Sequence, residues 1–562
     1  MNGIPRIVRN DWSSVPVPEL GQWRPQLSVS VVVPAYRCPE SLALVLAALH
    51  RQTYPPELLE VVVVDDDADG PPLQLPDVRP ARTRLLRAAD HGPGWGRANA
   101  LHVGFQHSTG DIVHWLDADM LVYPEHVEAQ ARWHHLVPYA VTLGYKRFVD
   151  VAPGGPGWPT PEAVDAACAA GAAGELFDLA ASDPHDYVEE LIRRTDQLRG
   201  GDHLNFMAHV GATAALRREL YLAAGGLDTT LRLGEDTEFG YRLAQAGAVF
   251  VPEPQARSWH LGRTHVMRAR EQVQRYNRPH LADRMPQPRW LRRIGGSGWS
   301  VPLLTVSLDV TDRPLERVRA AVDALLAGSE RDLRVCLVGP WASLTDTRVS
   351  PLRDPLLDLR LIAETYRSDP RVELVGQAPD TAFPGPYLAE TTDACGLPGH
   401  TVRTLIDALD RDQLGLLEVH TKDAQPAVRL WRTAALSRAR LLRRPDESLA
   451  DVVTQLYGAG HVDAAEVGVV DLSRFTVDEL AEGIGAAADP ALGGGRWLPG
   501  TIEVAGVRSL GRAAVLVSRL TLRRAAARLR RTRRDATSTD AAVVTGPAVP
   551  GGAAERALKE DC

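Results

Sequence analysis

The sequence predicts an α/β protein with a mostly parallel sheet flanked by helices, and three observations carry that expectation. Continuous apolar runs, "SVSVVVPAY" (28–36) and "LEVVVVDDD" (59–67), have the composition of strands buried on both faces. Segments of helical periodicity alternate with them. Three short segments, Pro34–Tyr36, Asp65–Asp67 and Asp117–Asp119, fall where these strands end, the edge at which open α/β sheets gather ligands.

The elements follow in order. Residues 1–26 are polar and Pro-rich and read as an N-terminal arm. After the first strand, "ESLALVLAALHRQ" is a helix, and "TRLLRAA" and "DIVHWLDAD" are two further strands. "GWGRANALHVGFQHSTG" between them reads as a helix. Residues 151–203 turn from Gly-, Pro- and Ala-rich to helical at "DYVEELIRRTDQL", and a short strand "AVFVP" precedes His260. From 301 the strand–helix–strand rhythm of 28–67 returns. A shift of 274 or 275 sets Pro39 against Pro314, Val61 against Val335 and Pro124 against Pro398, which points to an internal duplication. Asp65, Asp66 and Asp117 then meet Gly339, Pro340 and Thr391, so the second copy reads as degenerate, although Asp119 still meets Asp393. The expected domains are 27–290 for a catalytic unit and 300–485 for the degenerate unit. An extension at 486–534 and a disordered tail at 535–562 follow.

Composition excludes several classes. A chain of 562 residues with a net charge of −8 has no global basic field to recruit nucleic acid. Five scattered cysteines without a C-x-x-C argue against a zinc ribbon or disulfide framework and for a reducing, cytoplasmic setting. No signal peptide and no run of about 18 apolar residues is present. "HGPGWGRANA" lacks the G-x-G-x-x-G spacing of a dinucleotide fingerprint.

The chemistry-bearing residues fall in four groups. Asp117 and Asp119, at i and i+2 behind a buried strand, can reach one hard divalent ion, Mn²⁺ or Mg²⁺, that also takes phosphate oxygens. Glu235 and Asp236 open a helix with Phe239 and Leu243 on one face and Gly247 as its stop. Its dipole keeps a carboxylate ionised, as a base for a hydroxyl requires, and Glu238 is a supporting contact. His260 reads either as a structural histidine or as a third ligand for Mn²⁺ beside the carboxylates, with Trp259 as a wall. Arg97 and Asn99 are placed for a ribose or diphosphate.

Taken in order, "VVVPAYRCPESL", "VVVVDDD", "GRANALHVGF", "WLDADM", "GATAALRRELYLAAGGLD", "GEDTEFGYRL" and "SWHLG" resemble the family-2 glycosyltransferases of GT-A fold over about residues 28–265. That resemblance implies a nucleoside pocket at Pro34, Ala35, Tyr36 and Asp66, a metal–diphosphate anchor at Asp117 and Asp119, a base at Asp236 and a further ligand at His260. Two departures stand out. "DDDADG" replaces the family's D-D-G-S, so the base contact falls on Asp65, Asp66 or Asp67; "GRANALHVG" replaces A-R-N-x-G, which loosens the placing of Arg97 and Asn99. The implied reaction is sugar transfer from a nucleotide-diphosphate donor, UDP-sugar favoured, to a hydroxyl on a glycan, lipid-linked or small-molecule acceptor, with inversion. The competing readings are a non-catalytic nucleotide-sugar-binding scaffold and, third, a nucleotidyltransferase, for which no G-x-G-T-R loop is present.

Residues 512–534 carry eight arginines between Arg519 and Arg534 and no acid, with Leu516, Leu520 and Leu522 among them. This pattern suits peripheral contact with an anionic membrane. Removal of 512–562 is expected to weaken binding to anionic vesicles in a sedimentation assay; equal binding would refute the contact.

Overall fold

The computed structural model describes residues 3–484 apart from 294, 295, 297, 347, 348 and 422–425. The extension from 486, its Arg-rich segment 512–534 and the tail 535–562 lie outside the described residues.

The first sheet is built from β1 (Val29–Ala35), β2 (Leu59–Asp65), β3 (Thr83–Arg87), β4 (Ile112–Trp115), β5 (Met120–Val122), β6 (Ala140–Val149), β7 (Asp183–Pro184), β8 (Ala214–Arg217) and β9 (Val249–Leu261). Their order is β3-β2-β1-β4-β8-β6-β9-β5, with β7 on β6. Strands β3, β2, β1 and β4 are parallel, as the alternation of apolar runs and helices requires. Strand β8 enters antiparallel between β4 and β6, and β9 returns parallel to β6. The valines of β1 and β2 are buried on both faces. Helix Pro39–His50 covers one face and helix Arg97–Gln106 the other. That second helix lies so close that a Cβ on Gly104 would come within 2.3 Å of Val32.

A second sheet follows, with β10 (Leu304–Asp309), β11 (Leu333–Val338), β12 (Val372–Val375), β13 (Tyr387–Thr391), β15 (Leu416–His420), β16 (Pro426–Arg432) and β17 (Ala459–Asp463); β14 (Cys395–Gly396) pairs separately with β18 (Val470–Asp471). Its order, β12-β11-β10-β13-β16-β15-β17, has the same succession of parallel and antiparallel partners as β3-β2-β1-β4-β8-β6-β9.

Sequence reading took "AVFVP" for a short strand with His260 beyond it. In the structure β9 runs unbroken for 13 residues and contains His260, because a register shift opposite Gly144 and Tyr145 absorbs the interruption at Glu253–Arg257. The arm also does more than its polar composition suggests. Ile7 is fully buried, and Asn10 exchanges two hydrogen bonds with the Phe250 backbone, at 2.8 and 2.9 Å.

The two sheets share a core in which Trp133, Tyr139, Val249 and Val251 pack with Leu416, Trp431, Leu436 and Val453. Arg438, 2% exposed, fastens this seam. Its guanidinium donates to the carbonyls of Gly247 and Ala248, each at 2.8 Å, and to Ile7 and Arg9 in the arm. Five donors in a fixed fork suit four backbone acceptors that no smaller cation can serve together. The four described cysteines, Cys38, Cys168, Cys336 and Cys395, are unpaired. No described helix is long and apolar enough to cross a membrane.

Arg438→Met would strand buried carbonyls on two segments, so it is expected to cost about 3–5 kcal/mol. Urea denaturation of the purified chain measures this; a loss under 1 kcal/mol would show that the seam does not depend on Arg438.

Candidate active site

The carboxylates named from sequence come together at the C-terminal ends of the parallel strands. Asp117, Ala118 and Asp119 form the turn between β4 and β5, closed by the Met120 amide on the Asp117 carbonyl at 3.1 Å. Ala118 points into the core, and the two acids face the cleft on either side of it. Antiparallel pairing of β5 with β9 sets Met120 opposite His260, and the Leu261 amide donates to the Asp119 carbonyl at 2.9 Å. Backbone pairing thereby carries His260 to Asp119, with imidazole Nε2 and carboxylate Oδ1 3.8 Å apart.

Glu235 and Asp236 begin the helix Glu235–Gln245, entered through Gly234 at φ 76°. The positive φ turns the chain sharply into the cleft, a conformation that suits glycine. Arg97, the first residue of its helix, reaches between the two acidic segments. It donates to Asp117 Oδ1 at 2.8 Å and to Glu235 Oε1 at 3.0 Å. Asp236 adjoins this bridge: a Cβ on Gly211 would lie 3.1 Å from the Arg97 guanidinium and 3.3 Å from the Asp236 Cβ. Asp236 accepts the Thr237 amide at 2.7 Å and remains half-buried, facing the cleft, while Glu235 is buried.

The charges do not balance. Asp117, Asp119, Glu235 and Asp236 face two cations, Arg97 and Lys146. Burial, with the Asp117 charge beside it, pushes Asp119 up to about 7. Burial likewise pushes Glu235 up to about 7, with Arg97 pulling against it and Asp236 adding to it. Burial brings Lys146 down to about 8 although Asp117 and Asp236 hold it up. Arg97 is held above its ordinary value because Asp117, Glu235 and Asp236 outweigh the effect of its burial. Burial and the Lys146 charge lower His260 to about 4, which keeps the imidazole neutral.

These residues fit a divalent cation. Asp119 Oδ1 is sequestered without a hydrogen-bond partner although 40% of the side chain opens to the cleft, and the nearby imidazole is neutral. Two ligands of one ion at roughly 2.1 Å each lie no more than about 4.2 Å apart, so the 3.8 Å gap fits a shared ion.

The other sequence candidates are placed as follows. Pro34 and Ala35 end β1, and Tyr36 is 56% exposed beside the cleft. Of the three strand-end acids, Asp65 is spent on the amides of Asp67 and Leu73, and Asp67 pairs with Arg37 at 2.7 Å. Only Asp66 reaches across to the other lip, where it accepts the Gly96 amide at 2.7 Å. Asn99 lies in van der Waals contact with Gly94, which leaves no room there for a Cβ. One expectation is corrected, and the supporting role of Glu238 is borne out. Trp259 does not wall the site: neighbouring residues on a strand face opposite ways, and Trp259 is buried in the core beneath Tyr123 and Phe177. Glu238 supports the helix through a two-pronged pair with Arg242, at 2.6 and 2.7 Å, and does not reach the cleft acids.

Sequence reasoning missed Lys146 on β6, His209 and Trp95. His209 is buried with Nδ1 on the Asp236 carbonyl at 2.8 Å, and Trp95 is exposed with Arg232 stacked 4.3 Å over it. Lys146 left a signal. The chain has three lysines, Lys146, Lys422 and Lys559, so a lysine within a strand of an arginine-rich protein marks a place where a compact cation is needed.

Residues 30–221 match the family model for glycosyl transferase family 2. This segment belongs to that family. The chain therefore carries a glycosyltransferase domain. The match includes Asp66, Arg97, Asp117 and Asp119, and ends before Glu235, Asp236 and His260. A stretch of 104 residues is 36% identical to undecaprenyl-phosphate 4-deoxy-4-formamido-L-arabinose transferase of Enterobacter sp. (strain 638), covering 18% of this chain. The chain spans about a third (31%) of that relative's length. Among solved structures, mannosyltransferase PcManGT of Pyrobaculum calidifontis, in complex with GDP-Man and Mn²⁺, aligns over 47% of this chain and 63% of that one. The identity is 20% and the TM-score 0.28, too low to support an argument.

Asp119 holds protons in the glycosyltransferase domain, between its unfolded value of about 4 and its folded value of about 7, that the unfolded chain has released. Its contribution to stability thus falls as pH rises through that window. Buried histidines such as His260 contribute with the opposite sign, so a comparison of two chains isolates Asp119. In EDTA, Asp119→Asn is expected to match wild type in Tm at pH 4.5 and to exceed it by a few degrees at pH 8. Equal melting temperatures at both pH values would show that Asp119 carries no such penalty.

Proposed function

We propose that the first module transfers a sugar from a nucleotide-diphosphate donor, UDP-sugar favoured, to an acceptor hydroxyl with inversion of the anomeric centre. One observation carries the reading: Asp117, Asp119, Asp236 and His260, from three separate segments, meet around Arg97 at one strand edge of a family 2 domain.

Asp236 is the base. It sits in the first turn of its helix, half-open to the cleft, where the dipole favours an ionised carboxylate that can take a proton from the acceptor hydroxyl. The freed oxygen attacks the anomeric carbon, and the bond to the nucleoside diphosphate breaks. Arg97 and Lys146 face the diphosphate with positive charge, and the low-dielectric surroundings strengthen that interaction. Asp66 orders the Gly96 lip and, with Pro34, Ala35 and Tyr36, supplies the nucleoside side. Asp117, Asp119 and His260 would hold a divalent ion, Mn²⁺ or Mg²⁺, which supplies charge neutralisation for the leaving diphosphate when bound. The undecaprenyl phosphate in the relative's name makes a polyprenyl phosphate one acceptor to test beside glycans.

The second module is, on this reading, a degenerate copy. Gly339 and Pro340 follow β11 where Asp65 and Asp66 stand at β2, and Thr391 ends β13. The remaining acid, Asp393, is buried 3.6 Å from Arg313.

Asp236→Asn is expected to lower transfer at least about 10²-fold, read as UDP release from a nucleotide-sugar panel in the presence of acceptor. UDP binding by the Asp236→Asn variant should persist and should require Mn²⁺ or Mg²⁺. Transfer at the wild-type rate would remove Asp236 from the role of base; metal-independent binding would remove the ion from Asp119.

A further inference from the structure

The second module carries a cluster that sugar transfer does not use. Glu418 and His420 lie two residues apart on β15 and so share a face of the sheet. His461 lies on the edge strand β17, directly opposite Glu418 in the parallel register. Leu416, two residues earlier on the same face, is buried in the core between the modules, so the trio stands where that cover ends. Because β15 and β17 run in the same direction as β10 and β13, the trio lies toward the strand edge where sheets of this kind gather ligands.

The geometry is that of one face of a coordination tetrahedron. His420 Nε2 and His461 Nδ1 are 3.3 Å apart, His461 Nδ1 and Glu418 Oε2 3.4 Å, and His420 Nε2 and Glu418 Oε2 3.7 Å. Ligands about 2.0–2.1 Å from a tetrahedral ion are separated by roughly 3.3–3.4 Å. An ion about 0.7 Å above the plane of these three atoms would lie about 2.1 Å from each, within the usual range of Zn–N and Zn–O bonds. The carboxylate is also held in place from behind. Arg429, opposite Glu418 on β16, donates to Oε1 at 2.9 Å and leaves Oε2 turned toward the imidazoles. Outer partners of this kind commonly orient ligating carboxylates.

We propose that Glu418, His420 and His461 form a binding site for a borderline divalent cation, Zn²⁺ above all, on the edge of the second sheet. Two imidazoles and one carboxylate favour Zn²⁺ over the harder Mg²⁺ and Mn²⁺, which prefer oxygen. Three protein ligands leave the fourth position for water or an external ligand, the pattern of an open zinc site. This site is separate from the ion at Asp117, Asp119 and His260 and does not depend on it.

The test uses the full chain, free of any affinity tag, stripped with EDTA and dialysed. Titration with ZnSO₄ by calorimetry is expected to give one equivalent that His420→Ala and His461→Ala each lose, with affinity falling more than the roughly 10–100-fold typical of losing an outer partner. Asp119→Asn should retain that equivalent. Co²⁺ added to the stripped protein should give the visible absorption of a four-coordinate ion, absent from both histidine variants. The His461 side chain is 64% exposed, so His461→Ala is expected to melt as wild type does without metal and to report binding alone. No zinc uptake by wild type, unchanged uptake by both histidine variants, or loss of the equivalent in Asp119→Asn would each overturn the proposal.

Discussion

A surplus of buried negative charge at the strand edge governs the first module. Four carboxylates from one turn and one helix start converge there, and among the described residues Arg97 and Lys146 oppose them. Isolated carboxylates do not persist in such a setting; they pair, take up protons or bind a cation. The first two responses are visible, and Asp119 is arranged for the third. Asp117 and Glu235 share one guanidinium, Asp119 and Glu235 are pushed toward neutral pH, and Asp119 keeps an oxygen without a partner beside a neutral imidazole. The site is thus arranged to take up positive charge, and Arg97 ties its two acidic segments together.

The scaffold serves this arrangement by placing most of the cleft acids where strands stop. Valines fill the middle of β1 and β2 on both faces, and Asp65 closes β2. The antiparallel β8 and the pairing of β5 with β9 then turn the chain back, so that residues more than a hundred positions apart in sequence become neighbours. The second sheet repeats the pairing pattern without most of the acids, which separates what the architecture requires from what the chemistry requires.

Much of this was legible in the sequence because it is local. Buried strands announce themselves as apolar runs, and Asp117, Asp119, Glu235 and Asp236 stand at boundaries that such runs define. What could not be read depends on pairing at a distance. The length of β9 was hidden because "EPQAR" interrupts its apolar pattern, and only the bulge against β6 shows that the strand continues. Trp259 and His260 are adjacent in sequence, yet the strand sends one into the core and the other to the cleft. The Arg97 bridge joins residues 138 positions apart, and nothing in "GRANALHVG" states where a flexible side chain will reach. The cluster at Glu418, His420 and His461 was equally silent, since its third member comes from another strand.

The course of β9 sets a limit on how far the protein can be divided. Its first residues, Val249 and Val251, belong to the core shared with the second sheet, and its last carry His260 to Asp119. At about 3.3 Å per residue the strand spans roughly 40 Å, with one end in each environment. Stripping away the second module would leave the near end of this strand, together with Trp133 and Tyr139, facing water. The smallest autonomous unit is therefore the pair of modules, and the second serves as the wall against which the first is built.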